Sequence, residues 1–520
     1  MRRTRVFVAV AGGVGALLYG VGLPTRIAAQ GPADACSALT SFALPDGRIR
    51  SATPVAPPFA VPWAKGGTVT RPFCRVAGVL TPTPSSEINF EVWLPTEGYA
   101  GRFAGVGNGG LAGAIFYGAM GRMVQRGYAV FGSDRGHKGT DMAWSVNQPE
   151  KVIDFRERAD HLATVASKAV VARFYGAAPR HSYWSGCSAG GVQGYTAAWL
   201  HPDDYDGIIA GASPLLFNRD IVPGKPWPTM GDITYIAPIL AREPGFTKAK
   251  ARMVSDAAVA QCDANDGVRD GVIADPKQCR FDPASLVCRP GQTDKCLSPA
   301  EAVMLKQAYA TGHSRGAEYY WKALSGDTQG GAASPAASAA MTDMVSFMTR
   351  SMYVPSARQE YLQGFAARGG KMIAYVGLND FPMPKMIKYE DALIARHRAG
   401  GKSWARAKAE VDRFHRLFLL PGVEHCSGGP GADNILAQRP ADQPATGPGQ
   451  DAISAIEAWV ERGQAPARLV AVKYTDGDPA KGMVMSRPLC VYPNQARWNR
   501  VGDSSDYRSY TCVAPTARRR

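Results

Sequence analysis

Apolar positions along this chain come in short runs at strand spacing, separated by longer stretches at helical spacing. Ile88-Asn89-Phe90-Glu91-Val92-Trp93-Leu94 alternates with the two-residue period of a half-buried strand. Short, nearly continuous apolar runs follow at 102–107, 128–132, 182–185, 207–212, 371–376 and 416–420, the pattern of strands covered on both faces. Between them the spacing predicts helices over about 155–175, 191–200, 384–398, 403–414 and 451–462. In the first of these Leu162, Val165, Ala169 and Val170 share one face. Strands alternating with helices imply an α/β fold with a parallel, doubly wound sheet built by right-handed crossovers. Catalytic loops then gather at the carboxyl ends of the strands.

Two stretches break the pattern. Residues 30–86 are rich in proline and read as irregular. From 215 to 368 the alternation is lost, and this region holds four cysteines, an acidic loop and a low-complexity run at 325–340. It reads as an inserted lid lobe. The expected division is a leader at 1–29, a catalytic body formed by 30–214 and 369–520, and a lid at 215–368. No internal repeat appears.

At 520 residues the chain is too long for one simple core, which agrees with a large body carrying an insertion. With 45% hydrophobic and 20% charged residues the composition is that of an ordinary globular protein. Arg2, Arg3 and Arg5 precede an apolar run from Val6 to about Leu23, and Ile27-Ala28-Ala29 offers a small-residue cleavage site. These features read as an export signal, so the expected location is secreted or periplasmic, with no stable membrane insertion after cleavage. The formal net charge is +15; removing the leader's four arginines gives 15 − 4 = +11. The basic residues are scattered, apart from Arg518-Arg519-Arg520, and no nucleic-acid motif accompanies them. They read as aiding solubility or attracting acidic substrates, and not as a nucleic-acid interface.

Ten cysteines in an exported chain imply an even set of bridges. No Cys-x-x-Cys pair occurs, which speaks against a zinc or redox motif. Near-neighbour pairing gives Cys36 with Cys74, Cys262 with Cys279, Cys288 with Cys296, and Cys490 with Cys512, leaving Cys187 and Cys426; spacing alone does not fix this connectivity. The last two are notable for their neighbours. Cys187 stands directly before Ser188, and Cys426 directly after His425. A bridge between them would hold their Cα atoms within about 4.4–6.8 Å and bring a hydroxyl and an imidazole together from distant parts of the chain.

Ser188 lies in Gly186-Cys187-Ser188-Ala189-Gly190, a Gly-x-Ser-x-Gly turn between a predicted strand and a small-residue helix. Such a turn exposes a nucleophilic hydroxyl above a sheet. Of eight histidines, only His425 sits on a glycine-rich loop after a late strand with a cysteine beside it. Asp380 follows the strand at 371–376 and completes the chain order serine, acid, histidine found in α/β-hydrolases. Asp391 and Glu424 are the alternatives for the acid, the first inside a helix and the second adjacent to the histidine. The expected oxyanion donors are the backbone N–H of Ala189 and one from Gly109 or Gly110, in the glycine loop after the strand at 102–107. A separate loop, Cys262 to Val272, concentrates oxygen ligands around two glycines. There Asp263, Asp266 and Asp270 would offer carboxylates, and Val268 and Val272 carbonyls, to a structural Ca2+ ion.

Taken together, Gly186-Cys187-Ser188-Ala189-Gly190-Gly191, Asp380 and His425-Cys426 resemble the tannase and feruloyl esterase family of exported serine esterases. The likeness runs over nearly the whole mature chain. It implies an α/β-hydrolase fold with a large inserted lid, a lid calcium site at the 263–272 loop, and the near-neighbour disulfides with Cys187 joined to Cys426. It also implies hydrolysis of small feruloyl, galloyl or terephthaloyl esters, including the mono(hydroxyethyl) terephthalate branch, with no organic cofactor. Ala189 stands where relatives often carry a larger or polar residue. Trp321, Phe347, Arg350 and Tyr353 are the lid residues that could meet an aromatic acid. The competing readings are a serine peptidase on the same fold and a disulfide-rich binding protein on a disabled hydrolase scaffold.

Overall fold

The computed structural model describes residues 32–62, 67–139, 143–214, 245–310, 362–380, 383–436 and 451–515. The leader at 1–29 and the four lid residues named above lie outside them. In chain order the first strands are β1 (Ala43–Leu44), β2 (Gly47–Val55), β3 (Phe59–Ala60), β4 (Thr68–Val69), β5 (Phe73–Leu80) and β6 (Ile88–Pro95). They are followed by β7 (Arg102–Val106), β8 (Ala129–Ser133), β9 (His181–Cys187), β10 (Gly207–Gly211), β11 (Lys371–Gly377) and β12 (His415–Leu420). Ten of these form one sheet in the order β1-β2-β5-β6-β8-β7-β9-β10-β11-β12, while β3 and β4 pair separately.

The sheet is mixed. From β8 to β12 all neighbours run parallel, as the alternation of strands and helices predicts. The β1-β2-β5-β6 side is antiparallel and joins the rest through β6 against β8. This corrects the reading of residues 30–86 as irregular. Only Ile49 and Ala52 of β2 are buried, so most of the strand faces water and carries little apolar signal. Its end still pairs in register despite a proline, Pro54 opposite Cys74. The Cys36–Cys74 bridge fastens the segment that precedes it.

Each face of the sheet has its own core. One contains Phe103, Phe131, Trp184, Tyr195 and Met386 under helices Ala159–Tyr175, Ala189–Leu200 and Met383–His397. The other packs Trp93, Val106, Met120, Ile373 and Trp459 with helices Tyr117–Gln125 and Ala452–Arg462. Helix Ala159–Tyr175 differs from its expected face. Val165 is exposed, and burial runs through Ala159, Ala163, Ala166, Val170 and Val171. Small alanines let the helix lie close against the sheet, so its contact face is less hydrophobic than the leucine and valine spacing suggests. A π-helical turn over Asp154–Arg158 leads into it.

Residues 245–310 bury a core of their own, centred on Val254, Ala258, Ile273, Leu297 and Leu305. Two bridges, Cys262–Cys279 and Cys288–Cys296, tie it, and Lys250 meets Glu301 at 2.9 Å across its two helices. By Leu362 and Phe365 the chain is back in the core of the large sheet. After helix Ala452–Arg462 come two antiparallel ribbons, β13 (Arg468–Tyr474) with β14 (Met483–Cys490), and β15 (Gln495–Trp498) with β16 (Tyr510–Val513). Cys490–Cys512 staples them. Val491 bridges Phe418, so the ribbons lie along the β12 side of the sheet. Among the described residues no helix is long and apolar enough to cross a membrane.

Candidate active site

Strand β9 delivers Ser188 into a turn that only close backbone packing permits. Ser188 has φ 61° and ψ −121°, and the helix Ala189–Leu200 starts immediately after it. A side chain in the left-handed region costs of order 1–3 kcal/mol, so the surroundings must hold it. Ser188 N donates to Gly211 O at 2.9 Å, and Val192 N to Ser188 O at 3.1 Å. Glycine is required beside the turn because a Cβ on Gly186 would come within 2.4 Å of Gly190 O.

The histidine arrives from the loop after β12. His425 Nε2 lies 2.7 Å from Ser188 Oγ, and His425 Nδ1 lies 2.9 and 3.1 Å from the two oxygens of Asp380. Asp380 is fully buried, just past the end of β11. With Nδ1 facing a carboxylate, the proton belongs on Nδ1, and Nε2 is left to accept from the serine hydroxyl. Cys187 and Cys426 are bonded, with Cα atoms 5.9 Å apart. The other four bridges are the near-neighbour pairs.

Of the alternatives for the acid, Asp391 accepts from Tyr492 OH at 3.0 Å, away from the histidine. His137 is buried, with Nε2 2.7 Å from Leu111 O and its ring 4.1 Å from that of Trp144. His161 pairs with Asp204 at 2.9 Å. Neither histidine contacts Ser188 through any described interaction.

The glycine loop after β7 lies against the start of helix Ala189–Leu200. Asn108 O accepts from Gly190 N at 2.8 Å, and a Cβ on Gly107 would sit 2.4 Å from Gly190 Cα. Asn108 N donates to Gln193 Oε1 at 2.9 Å, so this N–H is already used. The N–H groups of Gly109 and Gly110 donate to no carbonyl among the described residues. Ala189 is the first residue of its helix, where the N–H has no carbonyl one turn back. These are donors of the kind an oxyanion takes.

Sequence reasoning missed two supports of this site. Lys473 on β13 reaches Gly429 O at 2.8 Å and Asp433 at 3.3 Å, while Asp433 accepts from Gly428 N at 2.7 Å. The C-terminal ribbon thus braces the loop that carries His425. The second is a polar group under the glycine loop: buried Gln193, Asn108 and Arg135 with partly buried Asp160. Burial pushes the Asp160 carboxyl up, while Arg135, Gln193 and Ser133 pull it back. Burial lowers Arg135 to about 10. Neither has a motif signature, because the partners are scattered along the chain.

In the 263–272 loop the carboxylates cap the loop's own backbone. Asp263 Oδ1 accepts from Gly271 N at 3.1 Å, Asp266 Oδ1 from Val268 N at 2.9 Å, and Asp270 Oδ1 from Val272 N at 3.0 Å. The second oxygen of Asp270 pairs with Arg487 of β14. Burial raises Asp266 to about 6, and Asp270 and Asp263 add to the rise. Among the described residues no three ligating side chains converge as a metal cage.

A family model described as "Tannase and feruloyl esterase" matches residues 74–363 and 336–513. The chain belongs to the tannase and feruloyl esterase family. It is 34% identical to an esterase of Xanthomonas campestris described as uncharacterized, over 92% of this chain and 91% of that protein. It is 31% identical to a probable feruloyl esterase B-2 of Aspergillus flavus, over 83% and 86% of the two chains. Among solved structures, feruloyl esterase B from Aspergillus oryzae superposes with TM-score 0.73 at 25% identity, covering 93% of this chain and all (100%) of that one. Tannin acyl hydrolase from Aspergillus niger, at 19% identity and TM-score 0.66, shares the fold over 93% of this chain and 96% of its own. The chain is an α/β-hydrolase and a carboxylic ester hydrolase.

Proposed function

We propose that this protein is an exported serine esterase that cleaves esters of aromatic acids, of the feruloyl, galloyl or terephthaloyl type, through an acyl-enzyme. The observation that carries the proposal is the continuous contact of Ser188 Oγ with His425 Nε2 at 2.7 Å and of His425 Nδ1 with Asp380 at 2.9 Å. His425 takes the hydroxyl proton as Ser188 Oγ attacks the ester carbonyl carbon. The negative charge that develops on the carbonyl oxygen is met by the N–H of Ala189 and that of Gly109 or Gly110. The C–O bond to the alcohol breaks, and His425 returns the proton to the departing oxygen. Water then repeats the sequence on the acyl-serine and releases the acid. Asp380 keeps the proton on Nδ1 and stabilises the imidazolium.

The lobe inserted between β10 and β11 is, in this proposal, the lid that shapes the acyl pocket. Asp263, Asp266, Val268, Asp270 and Val272 would hold a structural calcium ion, which would fasten the lid lobe once the carboxylates turn from their backbone N–H partners. Transfer into EDTA should lower Tm, and calcium should restore it; an unchanged Tm would remove calcium from the account.

The deciding experiment is a substrate panel of methyl ferulate, methyl gallate, mono(hydroxyethyl) terephthalate and short peptides. Turnover of one or more aromatic esters supports the proposal. Cleavage of peptides alone would overturn the proposal in favour of a peptidase, and inertness toward all three aromatic esters would overturn the assigned substrate class.

A further inference from the structure

The oxyanion loop contains two adjacent glycines, which have no side chains to hold it, and Gly110 sits at φ 54°. Such a loop needs an outside scaffold to aim its N–H groups. The scaffold here is Asn108, every polar atom of which is bonded. Its N–H donates to Gln193 Oε1 at 2.9 Å, and its carbonyl accepts from Gly190 N at 2.8 Å. Its side-chain amide donates to Ala114 O at 2.6 Å and Ser133 O at 2.9 Å, and its Oδ1 accepts from Gln193 Nε2 at 3.0 Å.

Gln193 stands one turn along the helix that starts after Ser188, so it belongs to the nucleophile's own element. It is only 2% exposed, and its Nε2 also donates to Asp160 Oδ2 at 2.8 Å. That contact fixes which end of the amide faces which neighbour. Reversed, Gln193 would turn its NH2 toward the Asn108 N–H and its oxygen toward the Asp160 carboxylate, both repulsive. Asp160 in turn lies 3.7 Å from Arg135 and accepts from Ser133 Oγ at 3.3 Å.

We propose that Gln193 is a positioning residue for the oxyanion loop, held in its working orientation by Asp160. The inference rests on the esterase reading above. The peptide after Asn108 is planar and trans, so pinning the Asn108 carbonyl on Gly190 and its N–H on Gln193 sets the direction of the next N–H, that of Gly109. Neither Gln193 nor Asp160 touches substrate; both act through Asn108. Loss of this hold should cost transition-state stabilisation and leave ground-state binding intact.

The test compares wild type, Gln193→Met and Asp160→Asn on the best ester of the panel, with phenylboronic acid as a probe that forms a tetrahedral adduct on the serine. For Gln193→Met the expected result is a kcat lower by about 10- to 100-fold, KM within about twofold, and a boronate Ki raised by a similar factor. Asp160→Asn should show the same split at smaller size, and it carries the test if Gln193→Met does not fold. Added to Gln193→Met, Asp160→Asn should lower kcat little further, because it acts through the missing amide. An unchanged kcat and boronate Ki in a folded Gln193→Met protein would overturn the inference, as would a rise in KM without a fall in kcat. A wild-type protein that neither turns over esters nor binds the boronate would instead remove the esterase reading itself.

Discussion

Replacing both Cys187 and Cys426 by alanine separates what the bridge does for catalysis from what it does for stability. The bridge spans 239 residues, for which chain entropy gives a stabilisation of about 5 kcal/mol, and removal of native bridges typically costs about 2–5 kcal/mol. Unfolding entropy of about 2 cal/mol/K per residue makes that only a few degrees of Tm for a body of this size. The effect on turnover should be the easier of the two to read. Without the bridge, the His425 loop keeps Asn379 N on Val423 O at 3.1 Å, Gly428 N on Asp433 at 2.7 Å and Lys473 on Gly429 O at 2.8 Å. These hold its base, but nothing covalent then ties the residue after His425 to the residue before Ser188. A drift of about 1 Å between nucleophile and base costs on the order of 100-fold in rate. The expected outcome is a kcat lower by about 10- to 100-fold at a temperature where circular dichroism shows the double variant fully folded. Mild reduction of wild type should move in the same direction. Wild-type turnover in the double variant, or in reduced protein whose Cys187 and Cys426 are shown by mass spectrometry to be free thiols, would refute the reasoning.

Two further outcomes follow from the geometry. Asp380→Asn keeps the shape of the site but offers Nδ1 an amide in place of a carboxylate, and kcat should fall by about 10⁴-fold, with stability affected far less. Asp134 is buried at the end of β8, and burial raises its carboxyl to about 6 from an ordinary 3.8. A raised carboxyl makes its stabilising contribution below the ordinary value and loses it as pH rises through about 6. Relative to Asp134→Asn, which does not titrate there, wild type should therefore lose about 2 kcal/mol between pH 4 and 7. Thermal denaturation of the pair across that range checks it, and a pH-independent Tm difference would contradict the assignment.

The parallel half of the sheet and the Ser188–His425–Asp380 contact were legible in the sequence, each for a physical reason. Strands covered on both faces must be continuously apolar, as 372–376 is. A tight turn at Ser188 must be flanked by glycine. A loop that crosses between distant elements can carry a cysteine as its fastener. What escaped the reading lacks those constraints. Strand β2 shows water most of its side chains, so its pattern is polar and broken by proline. Helix Ala159–Tyr175 buries alanines, and the more hydrophobic Val165 faces out. Lys473 and Asp433, and Asp160 with Gln193 and Asn108, meet only through the fold; their separations in sequence carry no periodic or local signal.

The most direct measurement is titration with a serine-reactive aryl phosphonate, followed by mass mapping of the adduct. The account predicts one equivalent bound, on the peptide containing Ser188, with turnover lost in step and no labelling of Ser188→Ala. Full inhibition with the label on another residue, or complete turnover after Ser188 has been blocked, would contradict it.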